Sequence, residues 1–201
     1  MLDRKIQACL SPALSVMAKV FVKFGFNANV VSLIGFALGV AAAVSIASQY
    51  FLVGAILIAA SRLFDGLDGA VARATQATDL GGFLDITLDF LFYASIPLAF
   101  AFANPLNNAL PAAVLLATFI GTGSSFLAFA VIAAKRGIQN ISYPNKSFYF
   151  VGGLTEATET IAVFIAMCLW PNFFYVFAYG FSILCLITVA IRFVWGYRIF
   201  K

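Results

Sequence analysis

The chain has 201 residues, of which 63% are hydrophobic and 10% charged, and it carries a net charge of +4 without a single histidine. Soluble domains of this size carry about 25% charged residues, so the composition excludes an ordinary water-soluble globule and predicts one polytopic membrane domain over residues 1–201. The missing histidines remove imidazole acid–base catalysis and imidazole metal ligands, which leaves carboxylates to build any metal site. Cys9, Cys168 and Cys185 are far apart and odd in number, so they are read as packing residues and not as a disulfide framework or zinc cluster. A positive balance in such a chain points to topology and anionic lipid and not to nucleic acid.

At the N-terminus, Pro12, Lys19 and Lys23 interrupt the apolar residues, so no signal-peptide core is present and this segment is predicted to be retained. Ser11-Pro12 pairs an N-cap residue with a proline suited to the first helical position. Leu14, Met17, Ala18 and Phe21 then share one face, while Lys19 and Lys23 lie elsewhere. This pattern predicts an interfacial amphipathic helix within residues 1–26, ended by Gly25. Residues 27–201 are expected to form a six-span core, since crossing the hydrocarbon requires apolar helices of roughly 20 residues.

The first span covers about 29–48, with Gly35 and Gly39 at a spacing that lets another helix approach closely. Ser48-Gln49-Tyr50 is a tight turn, and the second span runs from about 51 to 74, passing through a group of aspartates without a proline. Residues 75–82 read as a loop, 83–102 as the third span with a bend at Pro97, and 104–111 as a turn. The fourth span covers about 112–134, the polar break 135–153, and the fifth span about 154–170. Pro171-Asn172 turns the chain into a sixth span ending near Trp195. The predicted fold class is therefore all-α: six transmembrane helices preceded by an interfacial amphipathic helix.

Four basic residues precede the first span, two lie among the aspartates, three fall between Lys135 and Lys146, and three follow Val189, which accounts for all twelve. The opposite turns carry none. The positive-inside rule therefore predicts that both termini, the aspartate region and the Lys135 loop are cytoplasmic, in the plasma membrane or a bacterial inner membrane.

Five of the eight acidic residues lie between Arg62 and Phe90. Asp65 and Asp68 are i, i+3 on one helical face, and Asp85 and Asp89 are i, i+4 on the next helix. A hairpin turning near Thr78 brings the four carboxylates into one cleft, where their mutual repulsion at the membrane edge demands a cation. An all-carboxylate ligand set favours Mg²⁺ or Mn²⁺ and, with it, a phosphate-bearing substrate. Gly69 and Ala72 remove bulk beside Asp65 and Asp68, and Arg73 can neutralise phosphate. Arg62, one turn earlier, is a candidate partner for Asp65 and Asp68. Asp79 reads as a cap or loop residue outside the catalytic set.

This stretch resembles the signature of the CDP-alcohol phosphatidyltransferase family, D-x2-D-G-x2-A-R-x8-G-x3-D-x3-D, here Asp65, Asp68, Gly69, Ala72, Arg73, Gly81, Asp85 and Asp89. Seven residues separate Arg73 from Gly81 where the pattern has eight, which places the departure in the turn. The resemblance implies transfer of a substituted phosphate from a CDP-linked donor, usually CDP-diacylglycerol, to an acceptor alcohol with release of CMP. It also implies metal binding by Asp65, Asp68, Asp85 and Asp89, with Asp89 also the general base, and nucleotide and phosphate contacts from Gly69, Ala72 and Arg73. Two Mg²⁺ or Mn²⁺ ions and a homodimer belong to the same implication. Asn29-Val30-Val31-Ser32 is similar to the family's N-x-x-[ST] element, with Asn29 either a donor-phosphate contact or a helix N-cap.

Lys135, Arg136 and Lys146 are candidate contacts for an anionic acceptor, although positive-inside topology explains them equally. Glu156 and Glu159 suit the first turn of a helix, and residues 121–125 suit a helix-packing face. Two other functions fit the aspartates. An intramembrane prenyltransferase would normally carry its acidic motifs on well-separated helices. A cation transporter would favour ionisable groups near the bilayer midplane.

Overall fold

The structure, a computed structural model, describes residues 2–138 and 154–201; Lys146 and the side chain of Cys9 lie outside what it describes. Among the described residues all regular structure is helical: α1 Leu2–Lys23, α2 Ala28–Ala47, α3 Phe51–Ala74, α4 Asp79–Ala103, α5 Pro105–Lys135, α6 Ala157–Leu169 and α7 Phe174–Phe200, with a 3-10 turn at Pro171–Phe173. Four stretches are long and apolar enough to cross a membrane: α2, α4, α5 and residues 171–200. Helix α3 has the length, at 24 residues, but carries Arg62, Asp65, Asp68 and Arg73 from its midpoint onward. Helix α6 has only 13 residues, about 20 Å at 1.5 Å per residue, against a hydrocarbon core of about 30 Å.

Several helix ends differ from the sequence reading, each for a local reason. Helix α1 continues through Pro12 instead of opening there; a proline removes one backbone donor and weakens a helix without obliging it to start anew. The turn expected over 104–111 shrinks to Asn104, because Pro105 occupies the first helical position and the Asn104 side chain accepts from Asn107 N at 3.4 Å. Asn108 Nδ2 then donates to Phe100 O at 3.1 Å, which ties the new helix to the one just ended. Thr78 caps α4 by accepting from Gly81 N at 3.0 Å, so Asp79 is the first residue of the helix and not its cap. There it faces the positive end of the helix dipole. Helix α6 begins at Ala157, where Glu156 and Glu159 form a capping box, the ordinary role for acids at that position.

Helices α1, α2 and α5 end alike. The residue after each cap is left-handed, Gly25 (φ 80°), Gln49 (φ 66°) and Gly137 (φ 65°). In each case the next amide reaches back five residues: Phe26 N to Phe21 O, Tyr50 N to Ser45 O, and Ile138 N to Ala133 O. Gln49 adopts this conformation without being glycine, and its side chain holds the turn by donating to Ala103 O at 3.0 Å.

Phe92, Phe100, Phe164, Phe174 and Phe181 centre the main core, with Phe100 and Phe174 stacked at 4.6 Å. Cys168 and Cys185 are buried there as free thiols, which bears out their reading as packing residues. A smaller cluster lies under α1, where Leu14 and Ala18 meet Val31, Leu67, Ala70 and Val71.

The close approach predicted at Gly35 and Gly39 is present. A Cβ on Gly35 would lie 3.1 Å from Phe64 Cβ, and one on Gly39 would lie 2.6 Å from the Phe92 ring. Gly39→Ala is therefore expected to destabilise the folded protein by about 1–3 kcal/mol, as overpacking of a rigid core does. Gly180→Ala, where a Cβ would meet nothing within 4 Å, should leave it unchanged. Thermal unfolding in detergent checks both, and equal midpoints for the two variants would contradict this packing.

Candidate active site

Three helix ends meet at one end of the bundle: the start of α2, the second half of α3 and the start of α4. Asn27, not Asn29, caps α2 by accepting from Val30 N at 2.9 Å. This frees the Asn29 side chain, whose Oδ1 lies 3.3 Å from where a Gly81 Cβ would stand. Asn29 thus faces the start of α4, and Gly81 is small where α2 and the Thr78 cap crowd it.

The four aspartates, Arg62 and Ser32 line one cleft, whose wall is completed by Gly35, Phe36 and Leu88. Asp65, Asp68 and Asp85 each offer a carboxylate oxygen, and these three oxygens lie within 4.8 Å of one another. Their exposure grades from buried Asp68 through half-buried Asp65 to exposed Asp85. A hard divalent cation suits such a set, since it offsets the mutual repulsion of three neighbouring carboxylates.

The fourth carboxylate is held differently. Arg62 Nη1 donates to Asp89 Oδ1 at 2.5 Å and lies 3.5 Å from Asp65 Oδ1. The spacing makes Arg62 a candidate partner for Asp65 and Asp68; the structure pairs it with Asp65 and with Asp89. Asp68 instead accepts from the Ser32 hydroxyl. The reason is rotational: at 100° per residue Arg62 sits one turn before Asp65, while Asp68 falls a further turn along, against α2. Ser32 stood in the Asn29–Ser32 element without being singled out. Its spacing of three from Asn29, on a helix opening beside the aspartates, is the signal that marks it.

Gly69 is half-buried and exposed Arg73 lies over it, its Nη1 3.2 Å from a Gly69 Cβ position. With Ala72 these residues continue α3 one turn beyond Asp68, so a side chain at 69 would displace the Arg73 guanidinium. Among the described residues, the candidate acceptor contacts Lys135 and Arg136 do not line the cleft. Arg136 donates to the carbonyls of Ile199 (3.4 Å) and Phe200 (2.6 Å), fastening the end of α5 to the end of α7. Lys135 is the exposed last residue of α5. Within 121–125, Gly123 packs under the Phe90 ring and Thr122 O accepts from Arg192 Nη1 at 2.7 Å, as a helix-packing face requires.

Residues 26–194 match the family model described as CDP-alcohol phosphatidyltransferase. The chain is 49% identical over 202 residues to the inner membrane protein YnjF of Escherichia coli K12, covering all of this chain and 98% of that one. It is 27% identical over 179 residues to the archaetidylinositol phosphate synthase of Pyrococcus horikoshii, covering 84% and 91% of the two chains. Among solved structures, phosphatidylinositol phosphate synthase (PgsA1) of Mycobacterium tuberculosis with CDP-DAG bound superposes with a TM-score of 0.72 at 20% identity, covering 90% of this chain and 91% of that chain. The same protein in complex with manganese and citrate gives 0.72, covering 90% and 87%. At that identity the likeness establishes a shared fold.

Replacing Ser32 with alanine removes the hydroxyl that orients Asp68. Metal affinity typically falls about 10-fold or more when an orienting partner of a ligand is lost. Titration of the purified variant with Mn²⁺, followed by electron paramagnetic resonance, is expected to show that loss. Ser45→Ala, which removes only a bond to Ala41 O, should bind as the parent does. Equal Mn²⁺ affinity in Ser32→Ala and the parent would contradict the role of this hydroxyl.

Proposed function

The chain belongs to the CDP-alcohol phosphatidyltransferase family, and from that premise we propose that it moves a phosphatidyl group from CDP-diacylglycerol to an acceptor alcohol, releasing CMP. Membership makes it a phospholipid-biosynthetic transferase and an integral membrane enzyme; the donor, ions, residues and orientation are our reading. The observation that carries this reading is the group of Asp65, Asp68 and Asp85 oxygens within 4.8 Å, with Asp89 beside them on Arg62. The family match over 26–194 and the fold shared with a CDP-DAG-bound synthase favour it over prenyl transfer or cation transport.

In this reading Asp65, Asp68 and Asp85 would hold Mg²⁺ or Mn²⁺, two ions in all, with Asp89 a further carboxylate at the edge of the metal site. The bound metal supplies charge neutralisation for the donor diphosphate. Gly69 and Ala72 leave room for the nucleotide along α3, while Arg73 and Asn29 contact its phosphates. The acceptor oxygen bonds to the lipid-side phosphorus as the phosphoanhydride bond breaks, its electron pair leaves on CMP, and the acceptor proton passes to Asp89. Positioning and fixed charge carry most of the rate enhancement.

Residues 1–201 form one domain in this reading. Helix α1 is an amphipathic interfacial segment, with Leu14 and Ala18 buried on the bundle and Lys19 and Lys23 exposed. Six spans follow, α3 and the short α6 included, with the cleft and both termini cytoplasmic, and the enzyme works as a homodimer. Lys135, Arg136 and Lys146 are the candidate contacts for an anionic acceptor in this reading.

The test is CMP release by purified protein supplied with CDP-diacylglycerol, Mg²⁺ or Mn²⁺, and in turn glycerol 3-phosphate, serine, inositol, inositol phosphate or phosphatidylglycerol. Metal-dependent CMP release with one of these is expected, and none with any of them would overturn the reading. Asp89→Asn is expected to lower kcat by about 10²–10⁴-fold, the usual worth of a general base, with the donor KM little changed. Near-normal kcat would remove Asp89 from that role.

A further inference from the structure

Asp89 stands outside the group of three neighbouring oxygens, and Arg62 links it to that group, with Nη1 2.5 Å from Asp89 Oδ1 and 3.5 Å from Asp65 Oδ1. Besides its ion pair with Asp65, the Arg62 guanidinium is held by three further contacts. Nη1 bonds Asp89, Nη2 donates to Ser61 Oγ at 3.3 Å, and Cζ stands 3.9 Å from the Phe92 ring centroid. Ser61 is fully buried and itself anchored, donating to Gly35 O at 2.7 Å. Phe92 is held in turn by the absence of a side chain at Gly39.

Asp89 and Phe92 are i, i+3 on α4, so a carboxylate and a ring face lie one above the other, with room between them for a planar cation. A guanidinium can stack on the ring and bond the carboxylate in its own plane at once; an ammonium cannot. The side chain is only 10% exposed, yet its Nε is buried without a hydrogen-bond partner. Leaving a buried donor unmet is unfavourable, so the ring and the partners of Nη1 and Nη2, and not Nε, dictate where this group sits.

We infer that Arg62 is a positioning residue: seated on Phe92, it holds one oxygen of Asp89 and fixes where that carboxylate stands beside Asp65 at the cleft wall. The inference rests on the reading of Asp89 as the proton acceptor and adds the device that holds it ready. A carboxylate free to swing toward the metal group would leave the acceptor hydroxyl without a base, and a displacement of about 1 Å in such a group costs on the order of 10²-fold in rate.

The experiment measures metal-dependent CMP release by the full-length protein and by Arg62→Ala, Arg62→Lys, Asp89→Asn and the Arg62→Ala/Asp89→Asn double variant. Arg62→Ala is expected to lose about 10²-fold in kcat, while the donor KM stays within about 3-fold of the parent and the metal half-saturation does not rise, since the variant removes a competing cation from Asp65. Because Arg62 lines the cleft, added guanidinium should restore part of that kcat. The double variant should be no slower than Asp89→Asn alone, since residues acting through one another do not add. Arg62→Lys keeps the charge without the planar fork; it covers a failure of Arg62→Ala to fold and should lose about 10-fold in kcat. Turnover lost in Asp89→Asn but kept in both Arg62 variants overturns the inference alone, as do additive losses or a loss confined to metal half-saturation. Turnover retained by Asp89→Asn overturns the base assignment and this inference with it.

Discussion

Four carboxylates in one cleft at the end of an apolar bundle repel one another, and the low-dielectric surroundings do little to screen them. Much of the described structure near the cleft answers that repulsion. Asp68 leans on the Ser32 hydroxyl, Asp89 and Asp65 share the Arg62 guanidinium, and the oxygens of Asp65, Asp68 and Asp85 remain close enough for one cation to serve all three. A single charged residue at this depth could turn toward solvent or pair with a neighbour. Four of them need an arrangement, and it draws on three helices.

That arrangement depends in turn on how closely the helices approach. Gly35 lets α3 lie against α2 so that Ser61 can donate to the Gly35 carbonyl. Gly39 admits the Phe92 ring on which Arg62 is stacked. Below the cleft, Leu14 of α1 packs on Gly66, between Asp65 and Leu67, and closes the underside of the same turn of α3. The aromatic core of Phe100, Phe164, Phe174 and Phe181 lies farther along the bundle and gives the three helix ends a rigid base. Charged groups on helices braced in this way need little reorganisation when charge shifts beside them, which is the condition under which fixed electrostatics contribute most.

The aspartate pairs were legible in the sequence because helical spacing alone puts Asp65 with Asp68 and Asp85 with Asp89, and a short turn can only bring the pairs together. Glycines 35 and 39 were legible for the same reason: small residues four apart mark a contact face wherever they occur in an apolar helix. Helix ends were less so. Pro105 and Asn108, and Pro12 in α1, show that a proline near a helix start is compatible with several boundaries, and tertiary bonds such as Asn108 to Phe100 O decide among them. Partners across helices were least legible. Arg62 has aspartates at i+3 and i+6, yet its shortest bond runs to Asp89 on another helix, and Arg136 spends its donors on the last carbonyls of α7. Sequence spacing reports neighbours along one helix; the register between two helices is set by packing, which periodicity does not encode. The turn between Arg73 and Gly81, one residue shorter than the family pattern, still delivers Asp85 to the cleft, because Thr78 caps α4 early enough to start the helix at Asp79.

Anomalous diffraction from crystals of this protein grown with Mn²⁺ and CDP tests the central claim most directly. The account predicts an anomalous peak bonded to carboxylate oxygens of Asp65, Asp68 and Asp85 at about 2.0–2.6 Å, the range for hard divalent cations, with the CDP phosphates beside it. A well-ordered cleft that binds CDP without such a peak, or a peak held by other residues, would contradict it.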